Sequence, residues 1–213
     1  LMKEHPYSIL LLDELEKAGL VPKLIVTMPP KKQGRGMHET DTDAAAWAKQ
    51  RNIPLAYDWT DFENDSWDVA IVVDYGKILP SSLFNIPKKG FLNMHPSLLP
   101  RLRGASPMRS AILNNEQDTG VSILLIDDEM DHGPIVAQKK AQLTEWPLKN
   151  SELEKILVPL GGALLAQVLP EYVAGHIEPV EQNHDVATYS GKFTKEDGLL
   201  DLRGDVLENL RKI

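Results

Sequence analysis

An amide and an imidazole stand two residues apart at Asn93 and His95, inside the run Gly90-Phe91-Leu92-Asn93-Met94-His95 that Pro96 ends. In an extended strand residues i and i+2 project from one face, so this spacing sets the two side chains side by side. An amide N–H can donate to an oxygen on which negative charge develops, and an imidazole can accept or return a proton near neutral pH. Acyl transfer to an amine requires both. Asp131, in the acidic run Asp127 to His132, is a carboxylate able to orient His95, hold its charged form and help deprotonate an attacking amine through water. A plainer account fits the same residues. His95 is then a buried histidine satisfied by backbone groups, Asn93 a turn former, and Asp127, Asp128, Glu129 and Asp131 a solvated acidic turn. A divalent metal on those carboxylates and His132 is a third account, weakened by the lack of calcium-loop spacing.

The elements that must position these groups follow from periodicity and punctuation. Ile9 to Ala18 interleaves apolar and charged residues at helical spacing and ends at Gly19. Short buried strands are expected at Leu24 to Thr27, Val69 to Val73 and Gly90 to His95, with a helix at Ala44 to Gln50. The prolines and glycines of Pro29 to Glu39 break all periodicity, which predicts a loop. Pro107 to Leu113 reads as a helix with Pro at its first position and Ser106 as its cap. Two strands, Val121 to Ile126 and Ile135 to Lys140, flank the acidic loop. A long helix runs from Ser151 to Ala174, opened by a Ser151/Glu154 capping pair and threatened in its middle by Pro159 and Gly161-Gly162. Alternating strands and helices predict an open, mostly parallel α/β sheet of Rossmann-like type with helices on both faces. Ligands bind such sheets beyond the carboxyl ends of the strands, where Asn93 and His95 fall. Ser97-Leu98-Leu99-Pro100 follows directly as a stiff loop whose backbone can hydrogen-bond a flat heterocycle.

Composition bounds the rest. The 213 residues are 42% hydrophobic and 25% charged with 14 Gly and 15 Pro, which excludes fibrous and wholly disordered classes. No cysteine is present, so disulfides, thiolate metal sites and a Cys nucleophile are excluded, and a reducing, cytoplasmic setting is expected. Uninterrupted apolar runs such as Ile9 to Leu12 fall far short of the ~20 residues of a bilayer crossing, and no leader is recognised, so no membrane association is expected. With 23 basic against 31 acidic residues the formal charge is −8, which argues against nucleic-acid affinity spread over the surface and leaves local patches at Lys31, Lys32 and Arg35 and at Arg101, Arg103 and Arg109.

Taken together, Asn93-Met94-His95-Pro96-Ser97-Leu98-Leu99-Pro100, Arg103-Gly104, Pro107, Ala111-Ile112, Thr119 to Ile123 and Met130-Asp131-His132-Gly133-Pro134 resemble the formyltransferases that use 10-formyltetrahydrofolate. Within that superfamily, Gln33-Gly34-Arg35-Gly36 and Thr188 to Gly198 are similar to the branch acting on methionine carried by initiator tRNA. The resemblance implies formyl transfer from 10-formyltetrahydrofolate to the amino group of Met-tRNA, without a metal. It implies Asn93, His95 and Asp131 as the catalytic group. The folate would lie against Tyr75, Gly76, Ile78, Leu79, Ser97, Leu98, Leu99 and Pro100, and Lys31, Lys32, Arg35 and Arg103 would contact the acceptor. It also implies a catalytic domain over 1–187 and, from 188 to 213, a segment leading toward a tRNA-binding barrel absent from this chain. The chain departs from the pattern at its start, where an apolar strand and Gly-Thr-Pro-like turn are expected, and at Asp74, where a small residue is usual. Formyl transfer to an amino-sugar nucleotide or other small amine, and hydrolysis of the folate, are the alternatives the superfamily offers.

Overall fold

The computed structural model describes residues 7–33, 38–73, 75 and 79–212. In chain order the elements are α1 (Tyr7–Lys17), β1 (Ile25–Val26), β2 (Lys31–Gln33), β3 (His38–Thr40), α2 (Asp43–Gln50), β4 (Leu55–Ala56), α3 (Thr60–Glu63), β5 (Ala70–Val72), β6 (Phe91–His95), β7 (Arg103–Gly104), α4 (Pro107–Leu113), β8 (Gly120–Leu125), β9 (Ile135–Lys140), α5 (Asn150–Val173), β10 (Tyr189–Ser190) and α6 (Val206–Lys212). A four-stranded sheet of order β5-β6-β8-β9 carries the core. β5 and β6 run parallel, and β8 and β9 are antiparallel to their neighbours. The reversal from β8 to β9 has a covalent cause, because the link Ile126 to Pro134 is shorter than the dozen or so residues a parallel crossover needs. β1 and β4 form a separate parallel pair.

Local chemistry explains where the elements begin. The Thr42 hydroxyl accepts from the Ala45 N–H at 3.1 Å and caps α2, which therefore starts just ahead of the expected Ala44. At α5 the Glu152 carboxylate reaches back to the Lys149 N–H at 2.9 Å, so the helix opens at Asn150 with Glu152, not Glu154, closing the capping contact. Ser106 precedes α4 without a side-chain cap bond, contrary to expectation. α5 passes unbroken through Pro159 and Gly161-Gly162. A Cβ at Gly161 would lie 2.7 Å from Met94 Cγ and Sδ, and one at Gly162 would lie 3.0 Å from Glu14 Cβ, so the glycines let the helix press against both β6 and α1. The segment expected to be a loop at Pro29 to Glu39 holds the hairpin β2–β3, paired from Lys31↔Thr40 to Gln33↔His38. Pro29-Pro30 thus precede a pair of strands rather than marking an absence of structure.

Alternation along β6 fixes the position of the site. Leu92 and Met94 point into the main core with Leu11, Val121, Ile123, Leu157 and Leu165. Phe91 points the other way, into a second cluster with Phe62, Leu79 and Leu83. Each fully buried aliphatic side chain stabilises the fold by about 1.5–3 kcal/mol, so a one-residue slip of β6 is strongly disfavoured. Asn93 and His95 are thereby held on the face opposite α5. Among the described residues α5 alone combines the length and apolarity of a bilayer-crossing helix, which Pro159, Gly161-Gly162, Gln167 and Pro170 hide from a search for uninterrupted apolar runs. Its Leu153, Leu157, Val158 and Leu165 are buried in the protein core instead.

Candidate active site

Asp131 reaches the face of β6 from the β8–β9 link. Its Oδ1 accepts from Asn93 Nδ2 at 3.3 Å, and its Oδ2 accepts from the Gly104 N–H at 2.8 Å and stands 3.5 Å from His95 Nδ1. Amide, imidazole and carboxylate thus converge, together with a backbone donor that the sequence does not mark. His95 is 4% exposed. Its Nε2 lies 2.9 Å from the Leu102 carbonyl, which can only accept, so Nε2 carries a proton and Nδ1 is the nitrogen turned toward the carboxylate. The buried histidine satisfied by a backbone group and the histidine paired with an acid are therefore one arrangement. Asn93 is half-buried and uses a single amide hydrogen on Asp131, which leaves its second N–H for another acceptor.

Backbone conformations that side chains rarely adopt hold these partners. Asp131 (φ 51°) and Leu102 (φ 56°) both lie in the left-handed region. Leu102 is fixed by its N–H donating to Thr188 Oγ1 at 2.8 Å, and Asp131 by its carbonyl accepting from Gln182 Nε2 at 2.9 Å. Arg103 donates through Nε and Nη2 to Gln182 Oε1 at 3.1 and 2.7 Å, and through Nη2 to His184 Nδ1 at 2.8 Å. The His184 ring stacks on His132 at 4.0 Å, and His132 Nδ1 donates to Asp127 at 2.7 Å. Gln182 lies 51 residues from Asp131, with no local pattern that marks it. The acidic run is thus a tied loop and not a free turn, and among the described residues no cluster has the ligands to hold a metal.

Several expected contacts are placed otherwise. Arg103 is 1% exposed with its guanidinium committed inside the protein, so it is not a surface cation for an acceptor. Arg101 is exposed but paired with Glu116 at 2.6 Å, so two of the three cations of the second basic patch are committed to partners within the protein. Lys31 is exposed on the β2–β3 hairpin, whose strands pair only with each other. The Lys32 side chain and Arg35 lie outside the described residues, as do Gly76, Ile78 and Asp74. Ser97 and Leu99 turn their side chains inward and are buried. Their loop is instead braced from behind. Ser122 Oγ donates to the Ser97 carbonyl and accepts from the Leu99 N–H, while Gln138 donates to the Leu99 carbonyl. Leu98 and Pro100 keep partial exposure. Leu79 is buried in the second cluster. Tyr75 is half-buried with its ring 5.0 Å from Trp59, and burial pushes its phenol above the usual value. Tyr75 also borders an apolar cavity of about 510 Å³ between β1 and β5, with Ile25, Trp59, Val72 and Phe91 in its wall and none of Asn93, His95 or Asp131. Thr188 to Ser190 are stitched to β7 by β10 and by Ser190 Oγ, which donates to the Arg103 carbonyl, so the expected boundary at 187/188 cuts through a packed contact.

An amide, an imidazole and a carboxylate thus gather at the end of an inner strand of an open α/β sheet, where such sheets bind their ligands. Residues 9–169 match the family described as formyl transferase, and the chain belongs to that family. It is 38% identical over 203 residues to a methionyl-tRNA formyltransferase of Chloroflexus aurantiacus, covering 92% of this chain and 65% of the relative. It is 35% identical over 211 residues to the enzyme of that name from Thermotoga maritima, covering 95% and 67%. The chain thus spans about two-thirds of the length of these relatives. Among solved structures it is similar to an N-formyltransferase of Helicobacter canadensis in complex with folinic acid and dTDP-3-aminofucose, with a TM-score of 0.73, 18% identity and coverage of 97% and 76%. Phosphoribosylglycinamide formyltransferase of Bacillus halodurans gives a TM-score of 0.60 at 24% identity, over 76% and 89% of the two chains. At these identities the structures attest the fold.

Proposed function

We propose that this chain is the catalytic part of a cytoplasmic enzyme that moves the formyl group of 10-formyltetrahydrofolate to the amino group of methionine on initiator Met-tRNA. The observation that carries it is the convergence of Asn93, His95 and Gly104 on Asp131, in a chain whose relatives at 38% and 35% identity are named methionyl-tRNA formyltransferase. The folate supplies an activated formyl carbon. Asn93 donates its second N–H to the oxygen that gains charge when an amine adds to that carbon. His95, with Nε2 tied to Leu102, in its charged form offers Nδ1–H as a further donor, held by Asp131, which takes the proton the amine loses as it adds. When the tetrahedral adduct collapses, the bond from the formyl carbon to N10 of the folate breaks, that proton passes to N10, and tetrahydrofolate leaves. Tyr75, Leu98 and Pro100 have the partial exposure and flat or apolar surface to hold a pterin, with Gly76 and Ile78 completing that wall by resemblance. Ser97, Leu99 and Leu79 brace it from the interior. By the same resemblance no metal takes part. Lys31, Lys32 and Arg35 are the cations offered to tRNA phosphates, and residues from Gly191 onward are the bridge to a tRNA-binding part.

Burial of Arg103 favours a second reading, a small amine acceptor such as an amino-sugar nucleotide, because it removes one cation from the acceptor set. Incubation with 10-formyltetrahydrofolate alone, with Met-tRNA, and with small amines separates the readings. Tetrahydrofolate formation that depends on Met-tRNA supports the proposal. Formation with small amines only, or formate release without any acceptor, overturns it.

A further inference from the structure

Gln182 sits at the junction of the site and the polar chain behind it, and neither its sequence position nor the catalytic proposal assigns it a task. It is 5% exposed, and every polar atom of its side chain is used. Nε2 donates to the carbonyls of Asp131 and Gly133 at 2.9 and 2.8 Å, and Oε1 accepts from Arg103 Nε and Nη2. The Asp131 peptide it grips is left-handed, a conformation a non-glycine residue holds only when its surroundings enforce it. Gly133 is equally constrained, since a Cβ there would collide with the Leu125 carbonyl. Arg103 is anchored in turn by His184, whose ring rests on His132 of the same loop. The contacts close into a ring around the segment that presents the carboxylate.

We infer that Gln182 is a positioning residue: with Arg103 behind it, its amide clamps the Asp131–Gly133 backbone and so fixes the carboxylate between Asn93, Gly104 and His95. The amide is the group such a clamp requires, because two carbonyls ask for donors on one side and a guanidinium asks for an acceptor on the other. Glutamate at 182 would keep Arg103 and turn an oxygen toward the two carbonyls. That side of the clamp then repels instead of holding.

Gln182→Glu is therefore the informative variant, since its ion pair with Arg103 supports folding while the grip on Asp131 is lost. Gln182→Met serves as an uncharged companion if the first does not fold. The inference rests on the formyl-transfer reading for its kinetic arm only. There kcat is expected to fall about 10–100-fold, as for a displaced catalytic group, while KM for the donor changes less than about twofold. In the Asp131→Asn background the same substitution should add little further loss, whereas a general structural defect would add its full effect. The ring ¹⁵N signals of His95 give an arm independent of activity, and they should move in the folded variants. Unchanged His95 signals, or additive losses in the double variant, overturn the inference. Shifted signals in a protein whose wild type transfers no formyl group would instead leave the clamp standing and remove the proposed function.

Discussion

Asp131→Asn is the substitution for which the structure gives the sharpest expectation. Asparagine has the same shape and tolerates the left-handed φ of 51°, so the backbone is not asked to move. The hydrogen bonds are. A carboxylate receives Gly104 N–H on one oxygen and Asn93 Nδ2 on the other, whereas an amide that keeps the Gly104 bond turns its own NH₂ against the NH₂ of Asn93. Either that donor pair stays in conflict or Asn93 flips and withdraws both N–H groups from the site. The negative charge 3.5 Å from His95 Nδ1 disappears in both cases. Hydrogen bonds to charged groups contribute about 1.5–3 kcal/mol each, and relief from holding a carboxylate that is only 13% exposed returns part of this. A net loss of about 1–3 kcal/mol is expected, which for a chain of this size lowers Tm by about 2–12 °C. Removal of the proton acceptor together with misalignment of Asn93 should cut kcat by about 10²–10⁴-fold. Calorimetry and single-turnover formyl transfer measure the two effects separately. Full activity, within about threefold of wild type, alongside the expected drop in Tm would show that the carboxylate only builds the loop, and the chemical role given to it would fall.

Further outcomes follow from other parts of the molecule. Gly161→Ala gains about 0.5–1 kcal/mol of helix propensity but drives a methyl to 2.7 Å from Met94 Cγ and Sδ, between Asn93 and His95. Overpacking of about 1–3 kcal/mol outweighs the gain, so Tm should fall in a thermal melt and kcat with it. If the acceptor is tRNA, Lys31→Ala and Arg35→Ala should each flatten the log Kd against log salt slope by about 0.7–0.9 for every phosphate left unneutralised, read by filter binding. An unchanged slope for both argues for a small acceptor. Arg51 donates to Glu16 at 2.7 Å and holds its carboxyl below the ordinary 4.5, largely through that hydrogen bond. A lowered carboxyl contributes stability above its ordinary value and loses it as pH falls through the lowered one, and the pair is exposed and screened by salt. Denaturant midpoints compared between pH 7 and strongly acid conditions should therefore drop less in Arg51→Gln than in wild type.

Strand β6 was fully legible because three requirements agree on it: an apolar run, a proline that ends it, and two polar residues at a spacing of two. The helix at Pro107 and the strands around the acidic loop were legible for similar local reasons. The hairpin at Lys31 to Thr40 was not, since its strands are short, charged and paired only with each other, leaving no apolar alternation to detect. The passage of α5 through Pro159 and Gly161-Gly162 was hidden because its cause is tertiary: the glycines admit Met94 and Glu14. The same holds within the site. Asn93, His95 and Asp131 announce themselves by residue type, while the Gly104 N–H, the Leu102 carbonyl and Gln182 act through backbone groups or across 51 residues and more. Arg103 misled for a physical reason as well, since arginine in a basic run reads as surface charge until a buried Gln182 and His184 are seen to receive it.

Asn93 bears the greatest weight in the proposed chemistry, because the N–H it does not give to Asp131 is the donor assigned to the oxyanion. Single-turnover formyl transfer from 10-formyltetrahydrofolate to Met-tRNA, measured for wild type and a folded Asn93→Ala, tests this directly. Loss of one oxyanion donor predicts a rate about 10²–10³-fold slower with donor binding retained. Transfer by Asn93→Ala at the wild-type rate would contradict it.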